Sequence, residues 1–187
     1  MCRQISTTIM AFAILIQVIS AKEIAGIQMP DSRSIGNVEL VLNGAGIRAK
    51  AFFNIYAGGL YLRQKIQDSQ YIIDANETML VRLHMVSRLV TSKKMIAATR
   101  DGFKRSTKGN TAAIQKRIDQ FIAVFKQGVK RDDVYEIVYT SVKGTVIYRN
   151  GERQTTIKGL DFKQALFGIW LSDDPVHEGL KKGMLGK

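Results

Sequence analysis

Hydrophobic positions along this chain change period several times, and each change marks an element. The first apolar run of the domain covers 38–42, and Asn43-Gly44-Ala45-Gly46 behind it has the composition of a turn. Residues 47–56 and 58–63 are rich in aromatic and branched side chains and read as strand, with Ala57-Gly58-Gly59 as a bend or bulge between them. Residues 68–74 suit a short helix. The stretch 78–88 alternates cleanly: Met79, Val81, Leu83 and Met85 share one face, and Arg82, His84 and Arg88 the other. Such a period of two predicts a strand covered on one face only.

The period then lengthens. Thr91 or Ser92 can cap a helix running to about Arg105, with Met95, Ile96, Thr99 and Phe103 on one side. A second helix, from Asn110 or Thr111 to Gln127, carries Ile114, Ile118, Phe121, Ile122 and Phe125 as a stripe, and Gly128 stands at its C-cap. Core packing accounts for that stripe without a cofactor. Strand composition returns at 134–141 and 144–149, and Asn150-Gly151 joins the latter to 152–157 as a tight hairpin. Two helices close the chain: one over 162–171 with Asp161 as its cap, and one opening at Asp174-Pro175 and ending near Gly186. This order of strands, helices, strands and helices predicts an α+β domain, an antiparallel sheet with helices layered on one face.

The first twenty residues stand apart from that domain. Residues 9–16 are uninterruptedly apolar, Arg3 precedes them, and Ser20 and Ala21 follow as small residues, the three-part layout of a secretory signal. The run stops at Gln17, short of the roughly 20 apolar residues that a membrane span needs. Lys22-Glu23 stands where a lipoprotein would have its cysteine. The expectation is a signal peptide over 1–21, one domain over 22–187, and a periplasmic or secreted product. Cys2, the only cysteine, would leave with the signal, so disulfides, thiol nucleophiles and cysteine metal ligands are excluded from the mature chain.

Charge narrows the partners. The net charge is +12, and between Arg88 and Arg131 twelve Lys and Arg face only Asp101 and Asp119. A basic surface attracts nucleic acid or anionic membrane. Export argues against nucleic acid, which leaves either a solvated helical face or a contact with anionic lipid.

Most catalytic constellations are absent from the sequence. His84 and His177 form no HExxH pattern, so no metal is expected, and there is no G-x-S-x-G elbow. The glycines at 44 and 46 lack the lysine of a P-loop; Asp132-Asp133 and Asp173-Asp174 read as turn and capping pairs. No cofactor is called for. What remains lies around Arg48. Arg48, Lys50, Asn54 and Tyr56 share parity, and an arginine fork beside a phenol can hold a carboxylate or phenolate. Asn54 is the third candidate ligand-binding residue. At about 3.3 Å per residue Arg48 and Tyr56 would lie roughly 26 Å apart on one straight strand. They converge only if the chain bends, bulges or crosses the sheet between them.

Three stretches, Gly46-Ile47-Arg48, Ile55-Tyr56-Ala57-Gly58-Gly59-Leu60-Tyr61-Leu62 and Gly168-Ile169-Trp170-Leu171-Ser172-Asp173-Asp174-Pro175-Val176, together resemble the motifs of the chalcone isomerase-like family, in its bacterial branch. Ser172 stands where that family has glycine, and the resemblance runs from about Gly36 to Gly186. It implies a ligand cleft between an antiparallel sheet and the helices over one face. In the plant isomerases of this family an arginine binds the phenolate of a chalcone that is cyclised to a flavanone, with threonine, tyrosine and asparagine as further donors. Related plastid proteins bind fatty acids, an arginine and a tyrosine clamping the carboxylate. The resemblance places Arg48 at the motif arginine and Tyr56 where the fatty-acid binders have tyrosine and the isomerases threonine. Residues 94–106 contain neither the tyrosine nor the asparagine that the isomerases carry on a helix.

Three readings stay open at this point. One is a non-catalytic binder of a fatty acid or similar apolar carboxylate. The alternative is an intramolecular lyase of chalcone type, with Arg48 holding the phenolate and Tyr56 stabilising the enolate formed by oxa-Michael ring closure. The third is an interaction role in which the basic face between Arg88 and Arg131 docks on anionic lipid.

Overall fold

A computed structural model describes residues 21–187, so the expected signal lies, apart from Ala21, outside the described residues. The described residues form nine strands: β1 (Ala21–Ile24), β2 (Ile27–Pro30), β3 (Ser32–Ile35), β4 (Val38–Lys50), β5 (Phe53–Leu62), β6 (Met79–Met85), β7 (Val134–Thr140), β8 (Gly144–Arg149) and β9 (Glu152–Ile157). Strands β3 to β9 form one sheet in sequence order, every neighbour antiparallel, while β1 and β2 pair as a separate hairpin. Helix α1 (Ser69–Asp74) joins β5 to β6, α2 (Ser92–Ser106) and α3 (Gln115–Lys126) join β6 to β7, and α4 (Leu160–Leu171) and α5 (Glu178–Met184) follow β9. This is the expected α+β fold.

The helices cover one face. Leu60, Leu83, Ile137 and Ile147 project from the sheet into a core shared with Phe103, Phe121, Phe162 and Leu166 of the helices. Phe103 and Phe121 meet edge to face with centroids 6.0 Å apart, a favourable quadrupole geometry. The opposite face is not bare, contrary to what the alternation in β6 predicts. Met29 of β2 packs there with Leu40, Tyr61, Leu80 and Val138 in a second, smaller core. Arg82 is half-buried on that face, where it and Arg33 share the carboxylate of Glu136.

Two glycine-rich stretches do different work from the turns they resemble. Asn43 to Gly46 lies inside β4, and Ala57-Gly58-Gly59 inside β5. A Cβ on Gly44 would stand 2.2 Å from the Gly183 carbonyl oxygen, and one on Gly183 would stand 2.8 Å from that of Ala45. The glycines therefore let α5 lie directly on β4. Asn43 forms the bulge where the register shifts between Leu42 and Gly44. Its amide donates to the carbonyls of Ile66 and Met184 and accepts from the Ile66 N–H at 2.7 Å, stitching β4 to the loop after β5 and to α5.

Two caps also differ. The N-cap of α4 is Gly159, at φ +109°, while Asp161 sits in the first turn and binds Arg117 at 2.6 Å. Helix α5 opens at Glu178, not at Asp174, because His177 Nδ1 accepts the Leu180 N–H at 3.0 Å. Of the two candidates for the α2 cap, Thr91 takes the place, and Asp68, read as part of a short helix, stands just before α1 as its cap. The Asn150-Gly151 turn forms as expected, with φ of +52° and +84°.

One core residue is a lysine. Lys163 of α4 is fully buried, and its Nζ donates to the carbonyls of Ile72, Ile73 and Ala75 at 2.7, 2.8 and 2.8 Å. These are orphan acceptors at the C-terminus of α1, so the ammonium caps that helix from a neighbouring one. Burial pushes its pKa down to about 8, against the pull of Asp74 and Glu77.

Candidate functional site

The chain reverses at Ala51 and Phe52, and this turn resolves the distance problem between the two motif residues. Lys50 pairs with Phe53 and Ala49 with Asn54, but a bulge between Arg48 and Ala49 then shifts the register so that Arg48 lies opposite Tyr56. Residues opposite one another on paired strands share a face. The Arg48 guanidinium carbon stands 5.6 Å from the centroid of the Tyr56 ring, within cation–π range. Arg48 is half-buried and Tyr56 is buried.

Helix α4 completes the arrangement. Trp170 Nε1 donates to Tyr56 Oη at 2.9 Å, in a buried contact. An indole N–H only donates, so the phenol oxygen is the acceptor and the phenol keeps its own proton for another partner. Burial raises the Tyr56 pKa, with Arg48 and Trp170 opposing, so the group is a neutral hydroxyl. Among the described residues no carboxylate lies within ion-pair distance of Arg48.

Both groups line a narrow cavity of about 20 Å³ between the sheet and the helices. Its walls include Met95 and Thr99 of α2, Phe125 of α3 and Ile169 of α4. That volume admits about one water molecule. A guanidinium and a neutral phenol at the end of an apolar crevice can together hold one oxyanion.

The other candidates fall elsewhere. Asn54 is exposed beside the turn, opposite Ala49, and does not line the cavity; Lys50 is exposed as well. His84 is half-buried on the opposite sheet face, 3.8 Å from Asp132, and burial lowers its pKa. Asp133 is buried against Arg149 at 2.8 Å and accepts the Lys130 N–H, a structural turn. Among the described residues no group of three His, Cys, Asp or Glu could hold a metal, and no helix is long and apolar enough to cross a membrane. In the basic region Arg100, Arg105 and Arg117 are paired with Asp119, Asp101 and Asp161.

Trp170 is the site residue that sequence reasoning leaves without a role. Its signal is chemical: a lone tryptophan in the apolar second half of α4 needs an acceptor for its N–H.

A curled antiparallel meander whose helix layer closes an apolar crevice over an arginine–tyrosine pair defines the class of this protein. The chain belongs to the chalcone isomerase-like family, whose model matches residues 21–186. Solved structures share the fold, among them the crystal structure of a fatty-acid binding protein from Arabidopsis thaliana. It aligns at 15% identity with a TM-score of 0.66, covering 86% of this chain and 92% of that one. No curated protein sequence matches.

Proposed function

We propose that this protein binds a fatty acid or similar apolar carboxylate without transforming it. Arg48 pairs with the carboxylate, Tyr56 donates its free proton to the same group, and the tail lies between the sheet and α2. The observation that carries this reading is the hydrogen bond from Trp170 to Tyr56 Oη, which leaves the phenol proton for another partner beside a guanidinium that no carboxylate among the described residues neutralises. The fatty-acid binding of the Arabidopsis protein supports it by analogy of fold. A drug-sized ligand needs roughly 300 Å³ or more, so the tail enters by displacing side chains of α2, of which Met95 is the most adaptable.

Export belongs to the same proposal, and the apolar run over 9–16 supports it. N-terminal sequencing of protein recovered from outside the cytoplasm should begin at Ala21 or Lys22; a chain beginning at Met1 there would overturn the signal assignment.

The test of binding uses Trp170, the only tryptophan, as a built-in reporter. Titration with a long-chain fatty acid should change its fluorescence. Arg48→Ala should weaken binding by about 10- to 150-fold, the equivalent of about 1.5–3 kcal/mol for a charge-assisted hydrogen bond. Equal affinities by calorimetry would refute the assignment of Arg48. Turnover of a chalcone above the buffer rate would replace binding by isomerase activity.

A further inference from the structure

The end of the sheet beside the site carries an apolar tip that folding does not require. Phe52, at the β4–β5 turn, is 100% exposed, and Phe53 next to it 54%. Val86 N–H donates to the Ile55 carbonyl at 3.1 Å, which holds the loop after β6 alongside this turn. That loop presents Leu89, 51% exposed. Single exposed apolar residues are ordinary; three gathered at one end of a protein mark an interaction surface.

The charges around the tip are of one sign. Lys50, Arg88, Lys93 and Lys94 are all exposed, and neither 48–67 nor 78–100 contains an Asp or Glu. Lys93 and Lys94 occupy the first turn of α2, which holds no acidic residue. Cations there oppose the helix dipole; Lys94 Nζ donates to the Leu89 carbonyl at 3.1 Å, and Lys93 has no such tie among the described residues. Asp132, beyond β6, lies within ion-pair distance of Arg131, 3.6 Å away.

We propose that this tip docks on an anionic lipid bilayer, with Phe52, Phe53 and Leu89 entering the headgroup–acyl boundary and the four cations lying on the headgroups. Apolar side chains ringed by lysine and arginine are what such an interface binds. Arg48 is three residues from Ala51, about 10 Å along the strand. Docking therefore brings the charged end of the crevice close to the depth at which the carboxylate of a membrane-borne amphiphile lies. The docking surface is separate from the crevice and stands without the ligand assignment.

Vesicle co-sedimentation tests the proposal, using phosphatidylcholine with and without phosphatidylglycerol. The protein should bind the anionic vesicles, and less so as salt rises. Phe52→Ser should weaken binding by tenfold or more, on the order expected for removing a buried aromatic side chain. Lys93→Ser with Lys94→Ser should weaken it roughly fivefold for each charge lost. Equal binding to neutral vesicles, no binding, or an unaffected Phe52→Ser variant would overturn the proposal. So would a dimer in sedimentation that Phe52→Ser dissociates without any vesicle binding, since a second copy would then cover the tip. Phe52 touches no part of the crevice, so fatty-acid titration of Phe52→Ser through Trp170 reports separately whether the binding site persists.

Discussion

Tyr56→Phe removes a single oxygen from the centre of the site and tests its geometry with two readouts. The ring stays and no cavity larger than an oxygen atom opens, so the packing of Leu83 and Trp170 around it is retained. What changes is the partner of Trp170 Nε1, which donates to Tyr56 Oη at 2.9 Å in a residue only 5% exposed. A buried donor left without an acceptor costs about 1–3 kcal/mol. Taking about 2 kcal/mol and about 2–4 °C per kcal/mol for a chain of this size, the melting temperature should fall by about 4–8 °C. Ligand binding should fall as well, because the carboxylate loses the phenol donor while keeping Arg48. A hydrogen bond to a charged group is worth about 1.5–3 kcal/mol, so Kd should rise about 10- to 150-fold. Thermal denaturation followed by circular dichroism gives the first number, and calorimetric titration with a long-chain fatty acid the second. An unchanged melting temperature would show that the Trp170 bond contributes nothing. A lowered melting temperature with full affinity would refute the inference that the Tyr56 proton is aimed at the ligand.

Lys163 predicts a pH dependence of stability. Its pKa is about 8 in the fold and near the usual 10.5 when unfolded, so between those values the unfolded chain binds more protons and stability rises with pH, by up to about 1.4 kcal/mol per pH unit. Lys163→Met lacks that contribution and should be destabilised by about 2 kcal/mol or more at neutral pH, since the Ile72 and Ile73 carbonyls lose their donor. The gap between wild type and variant in urea denaturation should widen from pH 8 to about pH 10; a constant gap would show that Lys163 holds its proton throughout. Gly44→Ala should destabilise by about 3 kcal/mol or more or prevent folding, because its Cβ would fall on backbone 2.2 Å away. At Gly46 the nearest atom stands 3.4 Å off, so Gly46→Ala should be milder; equal losses in denaturant midpoint would show that α5 does not press on β4 as described.

Much of the fold was legible because it rests on local physics. The period of two in β6, the helical stripe of α3, the cap at Thr91 and the Asn150-Gly151 turn each depend on residues a few positions apart. The motif pair Arg48 and Tyr56 was visible too, as was their need for convergence. Asn54 shared their parity in sequence, yet the bulge beside Arg48 breaks that parity and leaves it outside the crevice.

Only the tertiary structure decided the rest, because the same residue type serves two physical purposes. Glycine frees φ in a turn and also removes the side chain where two backbones meet. The second use governs Gly44, and the partner that reveals it, Gly183, sits at the far end of the chain. His177 caps α5 because the chain reaches it in an extended conformation, which no neighbouring residue announces. Lys163 can enter the core only because three carbonyls of another helix await it there. Likewise the role of Trp170 exists only where α4 crosses β5. The sequence by itself determined the alternation of β6, the helices α2 and α3 and the turn between β8 and β9, and it named Arg48 and Tyr56 among the candidates for holding an oxyanion. The reversal and bulge between β4 and β5 bring those two residues opposite each other, and the packing of distant α4 supplies Trp170 as a donor to Tyr56 Oη.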